Sequence, residues 1–116
     1  SVDIVYFTTM ISNLLSNAVR YCDREPLIRI SAIVSGCDAE ITVADNGVGI
    51  PSEHLGHIFE KFYRVPQGNI HKTKGLGLGL YYVRRIATAH GGDVSVTSKP
   101  GRGTTFKIRI PIQNTI

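Results

Sequence analysis

The strongest constraint on this chain is an order of elements that it runs through twice. An amphipathic helical stretch is followed by two short runs of strand periodicity, and a glycine-rich break separates the two halves. Over residues 4–22, Ile11, Leu14, Leu15, Ala18, Val19 and Cys22 recur at spacings of three and four, which predicts a helix with one apolar stripe. Asp23-Arg24-Glu25-Pro26 stops it, because proline cannot continue a helix. Residues 27–34 read as a strand, with Ile28, Ile30 and Ala32 alternating against Arg29, Ser31 and Ile33. After the turn Ser35-Gly36-Cys37-Asp38, residues 39–44 read as its hairpin partner, with Ile41 and Val43 on one face. A short amphipathic helix is expected near residues 52–62, and a polar loop over residues 65–74. A second long helix is expected over residues 77–90, buried through Leu80, Val83, Ile86 and Ala87 and stopped by Gly91-Gly92. Residues 93–98 and 104–110 then form two closing strands. Hairpin neighbours with helices on one face make a two-layer α/β sandwich. The expected class is α+β, with a mixed, mostly antiparallel sheet on about three helices.

The 116 residues suit one domain, and 42% hydrophobic against 19% charged residues is globular composition. No apolar run approaches the ~18 residues of a membrane span, and no signal peptide is evident. The abrupt start suggests a fragment of a longer protein, whose membrane segment, if any, lies elsewhere. The net charge of +4 is mild, and Arg64, Lys72 and Lys74 concentrate part of it in one acid-free loop. Such a loop suits a phosphate ligand better than a nucleic-acid duplex, which favours a broad basic face; it also fits a solvated surface loop. Cys22 and Cys37 lack any Cys-x-x-Cys spacing and read as reduced thiols of a cytosolic domain.

Three places could carry chemistry. On the first helix Asn13, Asn17 and Arg20 share a narrow arc bordered by Tyr21. Two amides and a guanidinium could hold a hydrated Mg²⁺ and phosphate oxygens, since Mg²⁺ takes few protein oxygens and keeps its waters. Asn is disfavoured in helix interiors, although a solvent-facing polar stripe would also accommodate it. The second place is Asp45-Asn46-Gly47-Val48-Gly49, directly after a strand. A carboxylate there can accept from an exocyclic amine, selecting adenine over guanine, and glycine lets backbone approach a flat ligand. A plain turn has the same composition. The third is Gly75-Leu76-Gly77-Leu78-Gly79-Leu80, which opens the second helix. Bare N–H groups at a helix start bind anions, while glycines there also serve close helix packing. No P-loop, G-x-G-x-x-G or G-x-S-x-G pattern is present. Glu53, His54 and His57 lack the spacing and the third ligand of a zinc site.

Taken in order, these segments resemble the boxes of sensor histidine kinases. Asn13-Leu14-Leu15-Ser16-Asn17-Ala18-Val19-Arg20-Tyr21 resembles the N box, and Asp45-Asn46-Gly47-Val48-Gly49-Ile50 the first glycine box. Ile58-Phe59-Glu60-Lys61-Phe62-Tyr63-Arg64 is similar to the F box, and residues 75–80 to the second glycine box. His90-Gly91-Gly92 and Gly101-Arg102-Gly103-Thr104-Thr105-Phe106 resemble the closing helix end and the final hairpin. Single boxes are weak signals, but this series in register covers nearly the whole chain.

The resemblance implies the Bergerat ATP-binding fold over residues 1–116, with ATP and Mg²⁺ as ligands. It implies Asn17 as the principal Mg²⁺ ligand with Asn13 assisting, Arg20 on phosphate and Tyr21 against adenine. Asp45 would accept from the adenine amine in a pocket shaped by Gly47, Gly49 and Ile50, with Thr105 contributing from the final hairpin. Arg64 would reach the phosphates from the lid, helped by Lys72 and Lys74. Gly75, Leu76, Gly77, Leu78 and Gly79 would present backbone N–H groups, and Phe59 and Phe62 would anchor the base of the lid by packing. Leu76 stands where relatives often carry Thr, and the strand expected before Asp3 is missing or truncated. Related ATPases place a water-activating Glu where this chain has Asn13; an amide is no base at neutral pH, which favours transfer to a supplied nucleophile over hydrolysis. That nucleophile would be a histidine on a separate dimerisation and phosphoacceptor domain, since His54, His57, His71 and His90 lack the acidic helical setting such a histidine needs. The implied partners are therefore the chain's own acceptor domain, in a homodimeric parent for which a membrane anchor is one option, and a response regulator downstream. A stand-alone ATPase and a nucleotide-free scaffold are the alternatives.

Overall fold

A computed structural model describes residues 4–20, 22–63 and 79–111. Helix α1 spans Ile4–Arg20 and helix α2 spans Gly79–Ala89. Four strands accompany them: β1 (Ile28–Ser35), β2 (Asp38–Asp45), β3 (Asp93–Lys99) and β4 (Gly103–Pro111). The sheet order is β1-β2-β4-β3, and each neighbouring pair is antiparallel. The sheet is thus antiparallel throughout the described residues, where a mixed one was expected. Both hairpins close locally, and the second places β4 in the centre through its pairing with β2 (Ile41 opposite Ile108, Val43 opposite Phe106).

Strand alternation sorts the two faces. Val43, Ile41, Phe106, Ile108 and Ile110 point to one side and are buried there with Met10 and Leu14 of α1 and Val83 and Ala87 of α2. The other face carries Glu40, Lys107 and Arg109; Arg109 reaches Asp93 at 3.0 Å and Asp38 at 3.4 Å across three strands. These exposed ion pairs raise the proton affinity of Arg109, the Asp93 hydrogen bond most. They organise the polar face without contributing much stability.

Two expectations need correction. The third helix is one 3-10 turn, Ser52–His54, continued by turns to Tyr63. Its backbone bonds run from His54 to Pro51, His57 to His54, Glu60 to His57 and Tyr63 to Glu60, a step of three each time. Gly56 disfavours a regular helix, and anchoring Leu55, Ile58 and Phe59 on the core holds the segment down without one. The second correction concerns β1, which the alternation suggested was half-buried. Ile30 and Val34 share the core-side face with Val43 and Ala39, yet they are 50% and 72% exposed. The helices cover the sheet from β2 to β3, so among the described residues β1 is an edge strand without a helix packed on it. Among the described residues no helix is long and apolar enough to cross a membrane.

Candidate nucleotide site

The first cluster lies where β2 ends. Val43 points into the core, so Asp45, two residues on, emerges on the same face at the rim. Asp45 Oδ1 accepts from the backbone N–H of Gly47 at 2.8 Å and of Thr104 at 3.2 Å. Its Oδ2 receives no hydrogen bond from the described residues. Burial pushes the Asp45 carboxyl above its ordinary pKa, and the Gly47 and Thr104 N–H bonds pull part of that back.

Beside it, Ser98 Oγ accepts from Ile50 N–H at 2.7 Å, donates to the Gly103 carbonyl at 2.9 Å and meets Thr104 Oγ1 at 2.8 Å. This network ties the first glycine segment to the β3–β4 hairpin. Gly49 makes the junction possible at φ +79°, because a Cβ there would strike the Lys99 carbonyl. Its role is therefore close approach of one chain segment to another, rather than to a ligand. Gly103 is similar, at φ +123° with the Asp45 carbonyl in the way of any side chain. Gly47 and Ile50 are buried at the same junction.

The structure does not bring Thr105 to this cluster. It pairs with Ala44 and Thr97 on the polar face, opposite Asp45. Thr104, 6% exposed, occupies the position expected of it. The signal was present in the sequence, since Thr104 stands two residues before the core residue Phe106 and Thr105 only one. Ser98 is a second residue that sequence reasoning missed, and Asn46 a third. The Asn46 side chain accepts from Leu27 N–H at 2.8 Å and donates to the Glu25 carbonyl at 3.1 Å, pinning the loop between α1 and β1.

The second cluster lies between the helices. Asn13, Asn17 and Arg20 share one half-buried face of α1, as the periodicity implies. Asn13 Nδ2 donates to the Gly79 carbonyl at 3.3 Å, joining α1 to the first residue of α2. That bond turns Asn13 Oδ1 away from the carbonyl and leaves it available as an acceptor. Asn17 has no hydrogen-bond partner among the described residues, so its amide oxygen is equally available. Two such oxygens beside a helix start fit a hard, hydrated cation and the phosphates it accompanies.

Tyr21, Arg64, Lys72, Lys74, Gly75, Leu76, Gly77 and Leu78 lie outside the described residues. Of the F-box aromatics, Phe59 packs edge-on against Phe106 with centroids 6.1 Å apart, as expected of an anchor. Phe62 does not: it is 60% exposed. Among the described residues no group of three or more His, Cys, Asp or Glu could hold a metal. His54 instead meets the Tyr63 hydroxyl, and His57 Nδ1 meets Glu60 at 2.8 Å. Cys22 and Cys37 are both free thiols.

Known proteins share this fold. The chain is 40% identical over 109 residues to the sensor-like histidine kinase SenX3 of Mycobacterium tuberculosis, spanning 94% of this chain and 27% of that protein. It superposes on a mycobacterial sensor histidine kinase, MprB, with a TM-score of 0.83 at 25% identity, over 97% of this chain and 76% of that one. It also superposes on full-length ShkA in complex with AMPPNP, with a TM-score of 0.77 at 30% identity, over 95% of this chain and 22% of that one. The chain thus spans about a quarter of the length of the curated relative it matches. Residues 2–114 match the family model described as histidine kinase-, DNA gyrase B- and HSP90-like ATPase, and the chain belongs to that family.

Proposed function

We propose that this domain binds MgATP and donates the γ-phosphate to a histidine on a separate helical domain. The observation that carries the reading is Asp45. One carboxylate oxygen is held by two backbone N–H groups, and the other is open at the rim of the core. A fixed acceptor of this kind matches the exocyclic amine of adenine and opposes the carbonyl of guanine. The relative solved with AMPPNP, an ATP analogue, supports an adenine nucleotide as the ligand.

At the other cluster, Asn17 and Asn13 would hold Mg²⁺ through their amide oxygens, and the ion would neutralise charge on the phosphates. Arg20 adds a guanidinium, and the N-terminus of α2 adds its dipole. In the transfer the acceptor imidazole nitrogen forms a P–N bond as the β–γ bridging P–O bond breaks, and that electron pair leaves with ADP. Nothing in such a step requires a base from this chain. Asn13 cannot act as one, and its Nδ2 is already committed to Gly79. A stand-alone ATPase would need a water-activating group there, so transfer is favoured over hydrolysis. The domain's contribution is positioning and charge neutralisation.

The parent protein is proposed to act as a homodimer carrying its own acceptor domain and to pass phosphate to a response regulator. Calorimetric titration tests the nucleotide reading: ATP should bind, GTP should bind at least tenfold more weakly, and Mg²⁺ should tighten ATP. Equal affinities for ATP and GTP would remove the adenine assignment.

A further inference from the structure

The hydroxyl protons beside Asp45 have one consistent arrangement. Ser98 is half-buried on β3, and its Oγ meets three groups. A hydroxyl has one proton and two acceptor lone pairs. The Ile50 N–H, 2.7 Å away, can only donate, so it fills one lone pair. The Gly103 carbonyl, 2.9 Å away, can only accept, so it takes the Ser98 proton. One lone pair remains for Thr104 Oγ1 at 2.8 Å, and Thr104 is therefore the donor of that bond. Its single proton is spent on Ser98. Thr104 is also the residue whose backbone N–H holds Asp45 Oδ1 at 3.2 Å. Its hydroxyl thus has no proton for the open oxygen of Asp45, and none for a ligand. Neighbouring backbone donors are committed as well: the Gly47 N–H goes to Asp45, and the Gly101 N–H to the Val48 carbonyl. What these groups leave at the rim are acceptors, Asp45 Oδ2 and the lone pairs of Thr104 Oγ1.

We propose that Ser98 is a positioning residue for base specificity: by taking the Thr104 proton it keeps the base edge of the pocket free of a hydroxyl donor, and so sharpens selection of a six-amino purine over a six-oxo one. The inference deepens the adenine reading of Asp45 and rests on it. A six-amine meets an acceptor that no neighbouring hydroxyl has already satisfied, so no internal bond must break for it to bind. A six-carbonyl meets lone pairs, and no proton that can rotate towards it. Without Ser98 the Thr104 hydroxyl regains its rotation and can donate to Asp45 or to a six-carbonyl. Both moves erode the discrimination.

Calorimetric titration of the chain with ATP and ITP is the test. ITP differs from ATP in its six-position carbonyl and in the proton it carries at N1. The wild type should prefer ATP by about tenfold or more. Ser98→Ala should cut that preference about fivefold, whereas Ser98→Thr, which keeps the hydroxyl, should hold it within about twofold of wild type. In a Thr104→Val background Ser98→Ala should change the preference by less than about twofold, because no hydroxyl is left to redirect. A purely structural Ser98 would instead weaken both nucleotides alike, in either background. Ser98→Ala also strands the Ile50 N–H, so Ser98→Cys, which fills the site with a weaker acceptor, is titrated beside it and should lose part of the preference. An unchanged preference in Ser98→Cys, or an equal loss with and without the Thr104 hydroxyl, overturns the role of Ser98 and leaves the adenine reading standing. Equal binding of ATP and ITP by the wild type overturns both.

Discussion

The two ends of the proposed nucleotide site are built in opposite ways. Around Asp45 the chain is closed on itself: Gly47, Ile50, Ser98, Gly103 and Thr104 form a continuous hydrogen-bonded network, and Gly49 leaves no room for a side chain. Around Asn13 and Asn17 there is a single described bond, to the Gly79 carbonyl, and free amide oxygens beside it. A rigid end can discriminate between bases, because its acceptor cannot move to suit the wrong one. An open end can take a hydrated ion and a group that must leave. On the proposed reading, recognition and transfer fall to different parts of the fold.

Substitutions that attack the rigid end should have the largest effects. Gly49→Ala forces a Cβ onto the Lys99 carbonyl at positive φ and should destabilise the chain by about 3 kcal/mol or more, read from urea unfolding. Near wild-type stability there would show that the junction yields easily and the contrast is false. Asp45→Asn should weaken ATP binding about 10- to 100-fold, the loss expected for a charge-assisted hydrogen bond, and calorimetry reads it.

The same variant has a stability signature. Because burial raises the folded-state pKa of Asp45, its contribution is fully present below the ordinary carboxylate value and is lost as pH rises through the raised one. Asp45→Asn removes that loss while keeping an oxygen for the Gly47 and Thr104 N–H groups. It should therefore melt above the wild type near neutral pH and converge with it in acid. A wild type that melts higher at neutral pH would contradict the burial argument.

At the open end the effects on folding should be small. Asn17→Ala should change unfolding free energy by less than about 0.5 kcal/mol, yet abolish the tightening of ATP by Mg²⁺. Retained Mg²⁺ dependence would move the ion elsewhere. Smallest of all, Thr105→Val should leave both stability and ATP affinity nearly unchanged. Thr104→Val, one residue away, should cost about 1 kcal/mol through its lost contact with Ser98. Equal responses at the two positions would put the strand faces in doubt.

The contrast also explains what could be read in advance. Periodicity exposed much of the helix layer: Leu14, Ala18, Val83 and Ala87 are buried as their spacing implied, but Val19, placed in the same stripe, is 55% exposed, and Met10 is buried although the stripe did not include it. The Asn13–Asn17–Arg20 face was legible because a helix fixes its own geometry from residue to residue. Asp45 was legible as a carboxylate at a strand end. Ser98 and Asn46 were not, because each acts on residues 48 and 19 to 21 positions away, and no local pattern encodes those meetings. The exposure of β1 was hidden for a similar reason. Its alternation is that of a covered strand, and which strands the helices cover is a property of the whole sheet.

The account depends most on the claim that this domain presents a phosphate to an acceptor outside itself. The direct measurement supplies ATP radiolabelled at the γ-phosphate to the chain, with and without the parent's acceptor domain. Label should appear on a histidine of the acceptor domain, with none on this chain and little released as inorganic phosphate. Label on this chain alone, or rapid release of phosphate without an acceptor, would contradict it.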